Sequence, residues 1–254
     1  MMRILHFTDT HLFADPAQVS HGVRPDATLR AVLAAARHEK DCVAAVVTGD
    51  LVHDEPAAYG RLRGHFSTLG MPVYCLPGNH DVPAAMGEQL AAPPVHWTRS
   101  ARHGSWLLVF LDSTVPGEVG GHLGPGELDA LDRLLAAHDD VHALVCLHHP
   151  PRPCGCAWLD GDLNLDNPQD LFEVLDGHRN VRALLWGHIH QEYDEERRGV
   201  RLLATPSTMV QFLPDAREFG LDNRPPGYRW LALGRDGRVD SGVVRVNCLK
   251  EDLT

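Results

Sequence analysis

Short apolar runs alternate with helical patterns through most of the chain. The runs cover residues 3–8, 43–48, 73–76, 106–111, 143–147 and 181–186. Because each run is apolar at successive positions rather than at every second one, it predicts a strand that is buried on both faces.

Three segments between those runs repeat apolar residues at the spacing of one helix face. The residues that carry the spacing are Leu29, Val32, Leu33 and Ala36 in the first segment, Tyr59, Leu62 and Phe66 in the second, and Leu128, Leu131 and Leu135 in the third. Pro56 suits the first position of the second helix, where its missing N–H has no consequence. Strands that alternate with helices predict an α/β layered fold.

From about residue 201 the pattern changes to strands without helices. Residues 201–204, 228–233 and 239–246 predict strands, with turns at Gly234 and at Asp236-Gly237. We expect this β-rich tail to extend a sheet. No repeat, low-complexity tract or linker divides the chain. We therefore predict one domain over residues 1–254, with a β-rich C-terminal extension from about 201–246.

Polar side chains follow five of the predicted strands at the point where each strand ends. They are Asp9 and His11; Asp50; Asn79, His80 and Asp81; His148 and His149; and His188 and His190. The carboxyl edge of an α/β sheet is where ligands bind, so these side chains are candidates for one shared site. Gly49, Gly78 and Gly187 stand beside them, and we expect these glycines to let the backbone turn sharply.

Each of these motifs alone also has an ordinary structural explanation. Gly49-Asp50 is common turn or helix-cap chemistry, and Asp9-x-His11 arises often by chance. The order of the motifs after successive buried strands is what favours a functional site. Carboxylate, amide and imidazole donors mixed in this way suit two divalent ions of the Mn, Fe or Zn type that share a carboxylate.

Composition and charge narrow the function classes. The chain carries 23 Lys and Arg against 34 Asp and Glu, and its formal net charge of −11 argues against a nucleic-acid partner. No apolar run approaches the roughly 18–20 residues that span a bilayer, and residues 1–7 lack a secretion signal. We therefore expect a cytoplasmic protein without a membrane partner. The 17 histidines agree with a metal site.

The six cysteines form no recognisable metal or disulfide pattern. Cys154 and Cys156 are separated by one residue, whereas zinc knuckles and thioredoxin-like sites use a two-residue gap. We expect a structural or surface role for this pair rather than metal binding, and the sequence does not define that role further.

The motifs, taken in order, resemble those of the calcineurin-like metallophosphoesterases, whose pattern is D-x-H, G-D, G-N-H-D/E, H and G-H-x-H. Every element is present between Asp9 and His190. Further segments at 111–113, 121–123, 155–160, 187–192, 203–208 and 211–212 resemble the bacterial class III 3',5'-cyclic AMP phosphodiesterases. The resemblance implies a four-layer α/β/β/α sandwich, in which two mixed sheets lie face to face and are flanked by helices.

Carried over by position, the resemblance implies two metal sites that share one ligand. Asp9, His11, Asp50 and His190 would hold the first ion, and Asp50, Asn79, His148 and His188 would hold the second. His148 is chosen over His149 because the family motif reads His-x-Pro and Pro150 completes it. Asp50 would bridge the two ions.

The resemblance also implies a reaction, the hydrolysis of 3',5'-cyclic AMP to 5'-AMP by a hydroxide generated at the two metal ions. Fe or Mn is expected, with Zn or Co as alternatives. Because an alkoxide leaves poorly, a protonated His80 is expected as general acid, with Asp81 orienting it. Asn79 and His80 are also expected to contact the substrate. The alternative for His80 is a structural role only.

Two other functions stay open on the sequence. One is a broader phosphodiesterase for 2',3'-cyclic nucleotides or glycerophosphodiesters, and the other is a nucleotide-binding sensor without turnover. One departure from the wider family is His53 at the third position after Asp50, with Asp54 next, which puts a supporting hydrogen bond in doubt. The sequence does not decide between cyclic AMP and cyclic GMP as substrate. It also does not identify the metals or distinguish a monomer from a homodimer.

Overall fold

The computed structural model describes residues 1–248, so residues 249–254 of the predicted domain lie outside the described residues. The strands of the described part are β1 Met2–Phe7, β2 Cys42–Thr48, β3 Val73–Leu76, β4 Val95–Trp97, β5 Ser100–His103, β6 Trp106–Phe110, β7 His142–Cys146, β8 Val181–Trp186, β9 Tyr193–Arg197, β10 Val200–Ala204, β11 Gln211–Phe212, β12 Leu221–Asp222, β13 Gly227–Leu233 and β14 Val239–Arg245. Its α-helices are α1 Pro25–Ala36, α2 Tyr59–Ser67, α3 Pro83–Gln89, α4 Pro125–Ala137 and α5 Pro168–Asp176.

The first sheet has the strand order β14-β13-β1-β2-β3-β4. Strands β1 to β4 run parallel, whereas β13 pairs antiparallel with both β1 and β14. In this register Ile4 lies opposite Ala44 on one side and Leu231 on the other. The parallel half brings the carboxyl ends of β1, β2 and β3 to one edge.

The second sheet has the strand order β5-β6-β7-β8-β10-β9. Its four central strands are parallel, and the two edge strands, β5 and β9, pair antiparallel. The apolar runs did not predict these edges, because β9 reads YDEER and is largely exposed. Charged side chains on an edge strand discourage pairing with another chain, so this polarity suits the position.

Three apolar cores separate four layers. The core between the two sheets includes Ile4, Val46, Leu108, Leu144 and Leu185. A second core packs α1 and α2 against the outer face of the first sheet, and a third packs α4 and α5 against the outer face of the second. The predicted α/β/β/α sandwich of two mixed sheets is confirmed.

Proline opens most of the helices. Four of the five described α-helices begin at a proline, whose fixed φ and missing N–H suit the first helical position. The predicted start of α2 at Pro56 is wrong, because Pro56 opens a single 3₁₀ turn, Pro56–Ala58, that leads into α2 at Tyr59.

Within residues 1–248, no helix combines the length and apolar character that crossing a membrane requires.

The β-rich tail divides between both sheets instead of extending one. Strand β10 lies inside the second sheet, whereas β13 and β14 complete the first. Arg229 on β13 ties the sheets together, since its guanidinium donates to the carbonyl of Ala204 at 2.8 Å and to that of Tyr193 at 3.1 Å. Between these strands, the short hairpin of β11 and β12 carries the loop 213–220. A single domain over the whole chain stays a prediction.

Candidate metal centre

The carboxyl ends of central strands from both sheets meet at one edge of the sandwich and carry a cluster of polar side chains. Its members are Asp9 and His11 after β1, Asp50 after β2, Asn79 after β3, His148 after β7, and His188 and His190 after β8. These seven residues are named the donor centre. All except Asn79 are buried. The fold thus brings together the residues that the motifs singled out, and their role as metal ligands stays a prediction.

One half of the donor centre consists of Asp9, His11 and His190. The Nε2 of His190 lies 3.2 Å from the Nε2 of His11 and 3.4 Å from Oδ1 of Asp9. The other ring nitrogen of His190, Nδ1, donates to the carbonyl of Val210 at 2.9 Å. This hydrogen bond fixes the tautomer, so the lone pair of Nε2 points at the other two members, as a metal ligand requires.

The other half consists of Asn79, His148 and His188. The Nε2 of His148 lies 3.2 Å from Oδ1 of Asn79, and the Nδ1 of His188 lies 3.1 Å from each of those two atoms. The Nδ1 of His148 donates to the carbonyl of Thr48 at 2.7 Å. The lone pair of its Nε2 therefore faces the shared space.

Asp50 lies between the two halves. Its Oδ2 is 3.6 Å from the Nε2 of His11 and 3.4 Å from the Nε2 of His148. Its Oδ1 accepts the backbone N–H of His80 at 2.9 Å, which fixes the direction of the carboxylate. One oxygen of Asp50 thus faces donors of both halves, which is the geometry of a bridging ligand.

The donor set fits cations. Each half has two imidazole nitrogens 3.1–3.2 Å apart, and at that separation either a proton or a metal ion must lie between them, because two lone pairs would repel. Burial disfavours a proton there and lowers the pKa of His11 and of His188 to about 3. Burial opposes protonation of His148 as well, but Asp50 and Asp9 outweigh it and raise the pKa of His148 to about 9. Buried nitrogen and oxygen donors in a negative surrounding suit two divalent ions.

Most members of the donor centre hold a left-handed backbone conformation. The φ angles are 53° at Asp9, 43° at His11, 50° at Asp50, 67° at His188 and 49° at His190. Such a residue carries strain of about 1–3 kcal/mol, although Asp and His tolerate the conformation better than most residues. The sharp turns after β1, β2 and β8 bring these side chains over the sheet edge, so the backbone strain is found at residues where the donors converge.

The glycines beside the donor centre are required for two different reasons. Gly49 has a φ of +90°, so the predicted turn is present there. A Cβ at Gly78 would lie 2.3 Å from Oδ1 of Asp50, and one at Gly187 would lie 2.0 Å from Oγ1 of Thr8. At these two positions close packing of the donor loops, rather than a left-handed turn, excludes a side chain.

His149 lies close enough to His148 and His188 to form a group that could hold a metal, but both of its ring nitrogens have other partners. Burial lowers the pKa of His149 well below its ordinary value, so the ring is neutral. Its Nε2 donates to the carbonyl of Val119 at 3.1 Å, and its Nδ1 accepts from the hydroxyl of Ser113 at 2.8 Å. The two histidines in sequence thus differ, because only His148 directs a lone pair into the donor centre.

The predicted pairing of Asp81 with His80 is wrong. The Oδ2 of Asp81 accepts the N–H of Gly78 at 2.9 Å and that of Leu51 at 3.0 Å, and its Oδ1 accepts the hydroxyl of Tyr59 at 2.9 Å. These bonds tie the loop after β2 to the loop after β3. Asp81 therefore holds the backbone on which the donors stand.

The partner of His80 is Asp54. The Nδ1 of His80 lies 3.1 Å from Oδ2 of Asp54. The His53 ring stacks on the His80 ring, with centroids 4.4 Å apart and planes 21° apart, and its Nδ1 lies 3.1 Å from the Nδ1 of His11. The departure at His53-Asp54 thus supports both a candidate ligand and the candidate acid. The sequence alone could not show this, since the contact depends on how the loop after β2 turns.

Three aromatic side chains flank the donor centre. Phe212 stacks on His190, with centroids 4.0 Å apart and planes 9° apart. Trp158 and Phe219 contact the Phe212 ring edge to face, at 5.1 and 5.7 Å. Trp158, Phe212 and Phe219 are named the aromatic wall. Sequence reasoning missed it as part of the site, because its members come from two loops and the short strand β11, without a common spacing. Trp158, Phe212 and five members of the donor centre, all except Asp9 and His148, line a cleft of about 180 Å³.

The cysteine pair lies behind this cleft. The thiol of Cys156 is buried, accepts from the side-chain amide of Gln191 at 3.1 Å and donates to the carbonyl of Leu213 at 3.3 Å. Among the described residues, the groups of side chains that could hold a metal contain neither Cys154 nor Cys156.

Known proteins resemble this chain in sequence. The family model for calcineurin-like phosphoesterases matches residues 2–192. The 3',5'-cyclic adenosine monophosphate phosphodiesterase CpdA of Escherichia coli K12 is 42% identical over 250 residues, which cover 96% of this chain and 90% of that protein. The protein of the same name from Pseudomonas aeruginosa is 38% identical over 246 residues, with coverage of 96% and 90%.

The fold is shared with solved structures. A dimetal phosphatase from Danio rerio superposes with a TM-score of 0.66 at 16% identity, covering 97% of this chain and 99% of that chain. At that identity the likeness concerns the fold alone. The family model and the two sequence relatives together confirm the resemblance inferred from the motifs. The chain belongs to the calcineurin-like phosphoesterase family.

Proposed function

We propose that the protein is a dinuclear-metal phosphodiesterase that hydrolyses 3',5'-cyclic AMP to 5'-AMP. The observation that carries the proposal is the donor centre, where two groups of buried donors face one carboxylate oxygen of Asp50. Family membership supports a metal-dependent phosphoesterase. Relatives that are 42% and 38% identical along nearly the whole chain are cyclic AMP phosphodiesterases by name, which supports the substrate.

The ligand sets follow the two halves of the donor centre. Asp9, His11 and His190 would hold one ion, Asn79, His148 and His188 the other, and Asp50 both. Two divalent ions bound there would polarise the phosphoryl oxygens and activate a water molecule as the nucleophile. Imidazole nitrogens mixed with carboxylate and amide oxygens accept Fe, Mn, Zn or Co. Fe or Mn is proposed from the family resemblance, with Zn or Co as alternatives.

His80 is the proposed general acid. It lines the cleft beside Asn79, and its side chain is 29% exposed. The Nδ1–H of His80 donates to Asp54, so Nε2 is the atom that would hold the proton and deliver it to the leaving 3'-oxygen. The carboxylate of Asp54 orients the ring. Asn79 and His80 are also proposed to contact the phosphate.

The test is a panel of phosphodiesters on protein stripped of metal and reloaded with one metal at a time. We expect kcat/KM to be highest for 3',5'-cyclic AMP, and the active preparations to contain two ions per chain by elemental analysis. The panel includes 3',5'-cyclic GMP, 2',3'-cyclic AMP, glycerophosphocholine and bis(p-nitrophenyl) phosphate.

Two results would contradict the proposal. A preference for 2',3'-cyclic AMP or glycerophosphocholine would assign the broader phosphodiesterase function. Binding of cyclic AMP to the two-metal protein without turnover would assign a sensor.

A further inference from the structure

A second hollow adjoins the cleft of the donor centre, and no step of the proposed reaction uses it. It has a volume of about 100 Å³ and is named the side hollow. Three imidazoles and the Phe212 ring line both the cleft and the side hollow, so the two spaces lie side by side. Phe219 lines the side hollow only. A ligand with its phosphate at the donor centre would therefore reach Phe219 with its remaining part.

Phe219 is a large apolar side chain that is 52% exposed. Its ring contacts Trp158 at 5.3 Å, Phe212 at 5.7 Å and His21 at 5.7 Å, and the interplanar angles are 80°, 69° and 42°. None of these rings lies flat on Phe219, and about half of the Phe219 surface is exposed, so no described ring occupies the stacked position on it. Aromatic rings that accept a stacked partner gain about 0.5–1.5 kcal/mol beyond the buried area.

The lining of the side hollow has no permanently charged side chain. Phenyl, imidazole, thioether, aliphatic and hydroxyl side chains contribute to it, and the described lining contains no carboxylate, ammonium or guanidinium group. Apart from the proton proposed on His80, a charged ligand group would have no counter-ion there. A neutral, flat heterocycle fits both the lining and the stacked position on Phe219.

We propose that the side hollow is the nucleobase subsite, in which the purine stacks on Phe219 while the phosphate lies at the donor centre. The inference rests on the proposed function, because the nucleotide supplies both groups in one molecule. The ribose would pass beside Phe212, the one member of the aromatic wall that borders both spaces. A stacked base is held by its face, so the subsite selects nucleotides over base-free phosphodiesters without reading the base edge.

The experiment measures inhibition of the Mn²⁺-loaded protein, with methyl p-nitrophenyl phosphate as a base-free reporter substrate. The inhibitors are 5'-AMP, ribose 5-phosphate and phosphocholine, which present a base, no base and a cation beside the same phosphate. The variants are Phe219→Ala, Phe219→Tyr, which keeps the ring, and Leu221→Ala, a matched control that removes a 39% exposed apolar side chain from the same hairpin.

We expect the unaltered protein to bind 5'-AMP roughly 5- to 100-fold more tightly than ribose 5-phosphate, the range given by base–aromatic stacking. Phe219→Ala should bring this ratio close to one, whereas Phe219→Tyr and Leu221→Ala should keep it. Retention by Phe219→Tyr excludes a general disturbance of the loop.

A ratio that Phe219→Ala leaves intact would overturn the subsite, and so would tighter binding of phosphocholine than of 5'-AMP. Failure of the proposed function is detected by a different measurement, the hydrolysis of 3',5'-cyclic AMP. If the unaltered protein does not hydrolyse 3',5'-cyclic AMP but cleaves the reporter, the reporter assay still shows whether a base is bound at Phe219. If it cleaves neither, calorimetric titration of the same variants with 5'-AMP and ribose 5-phosphate gives the same ratio.

Discussion

The donor centre and the aromatic wall lie side by side, yet they are built in opposite ways. The donor centre stands at the ends of buried strands, and two of its four imidazoles are fixed from behind by backbone carbonyls, that of Thr48 for His148 and that of Val210 for His190. The aromatic wall stands on loops and on the short strand β11, is partly exposed, and is held by ring contacts and by packing of Trp158 and Phe212 against the apolar core. In the proposed reaction, catalysis needs donors that are fixed in place. Substrate selection can depend on loop residues, which can change without disturbing those donors.

The largest expected effect on metal content and turnover comes from removing the carboxylate that is proposed to bridge the two ions. Asp50→Ala deletes the oxygen that faces both His11 and His148, so we expect the loss of both ions. Turnover should fall by roughly 10³-fold or more, since the metals supply several kcal/mol of transition-state stabilisation. Metal content per chain by elemental analysis and kcat/KM on cyclic AMP are the measurements.

Asp54→Asn is the matched control for that variant. It changes a neighbouring carboxylate that contacts His80 and lies outside the donor centre, so two ions per chain should remain. If Asp50→Ala loses one ion only and keeps most of its activity, the shared-ligand assignment is wrong.

The next largest effect concerns the proton that His80 is proposed to deliver to the leaving 3'-oxygen. His80→Ala should keep both metals but lose roughly 10²–10⁴-fold in rate on cyclic AMP, the usual contribution of general acid catalysis. The loss should shrink on bis(p-nitrophenyl) phosphate, because a nitrophenolate leaves without a proton. His148→Ala is the control, since a lost ligand should affect both substrates alike. Equal losses on both substrates for His80→Ala, with metals intact, would place the acid elsewhere.

The same contrast explains what the sequence could predict. Buried strands are apolar at successive positions, and the donors follow them directly, so β1, β2, β3, β7 and β8 and their terminal Asp, Asn and His residues were found together. Edge strand β9 was missed because its exposed face must be polar. The pairing of His80 was assigned to Asp81, its neighbour in sequence, whereas backbone turns bring Asp54 to it. Phe219 was missed because it lies on a loop far along the chain, and only folding brings that loop next to the donor centre.

A smaller effect tests how far the donor centre extends. His149→Ala removes no proposed ligand, so two ions should remain bound. It leaves the Ser113 hydroxyl and the Val119 carbonyl without their partner and opens a cavity, which together should lower the free energy of unfolding by about 2–4 kcal/mol. Chemical denaturation of the metal-loaded protein measures this loss.

The control for His149 is His122→Ala, which removes an exposed pair with Asp166 and should change stability by less than about 1 kcal/mol. Loss of one metal equivalent in His149→Ala, with His122→Ala unaffected, would place His149 inside the donor centre and would contradict the tautomer assigned to it.

The smallest expected effect lies where the two regions join. Cys156 connects them, since its thiol accepts from Gln191, the residue after His190, and donates to the carbonyl of Leu213, at the start of the loop that carries Phe219. A serine hydroxyl keeps one donor and one acceptor but reaches less far, so Cys156→Ser should cost about 1 kcal/mol of stability. Both ions should remain in Cys156→Ser and in the double variant with Cys154→Ser. A loss of one ion from the double variant, with Cys42→Ser as the unchanged control, would show that the donor centre extends into this loop.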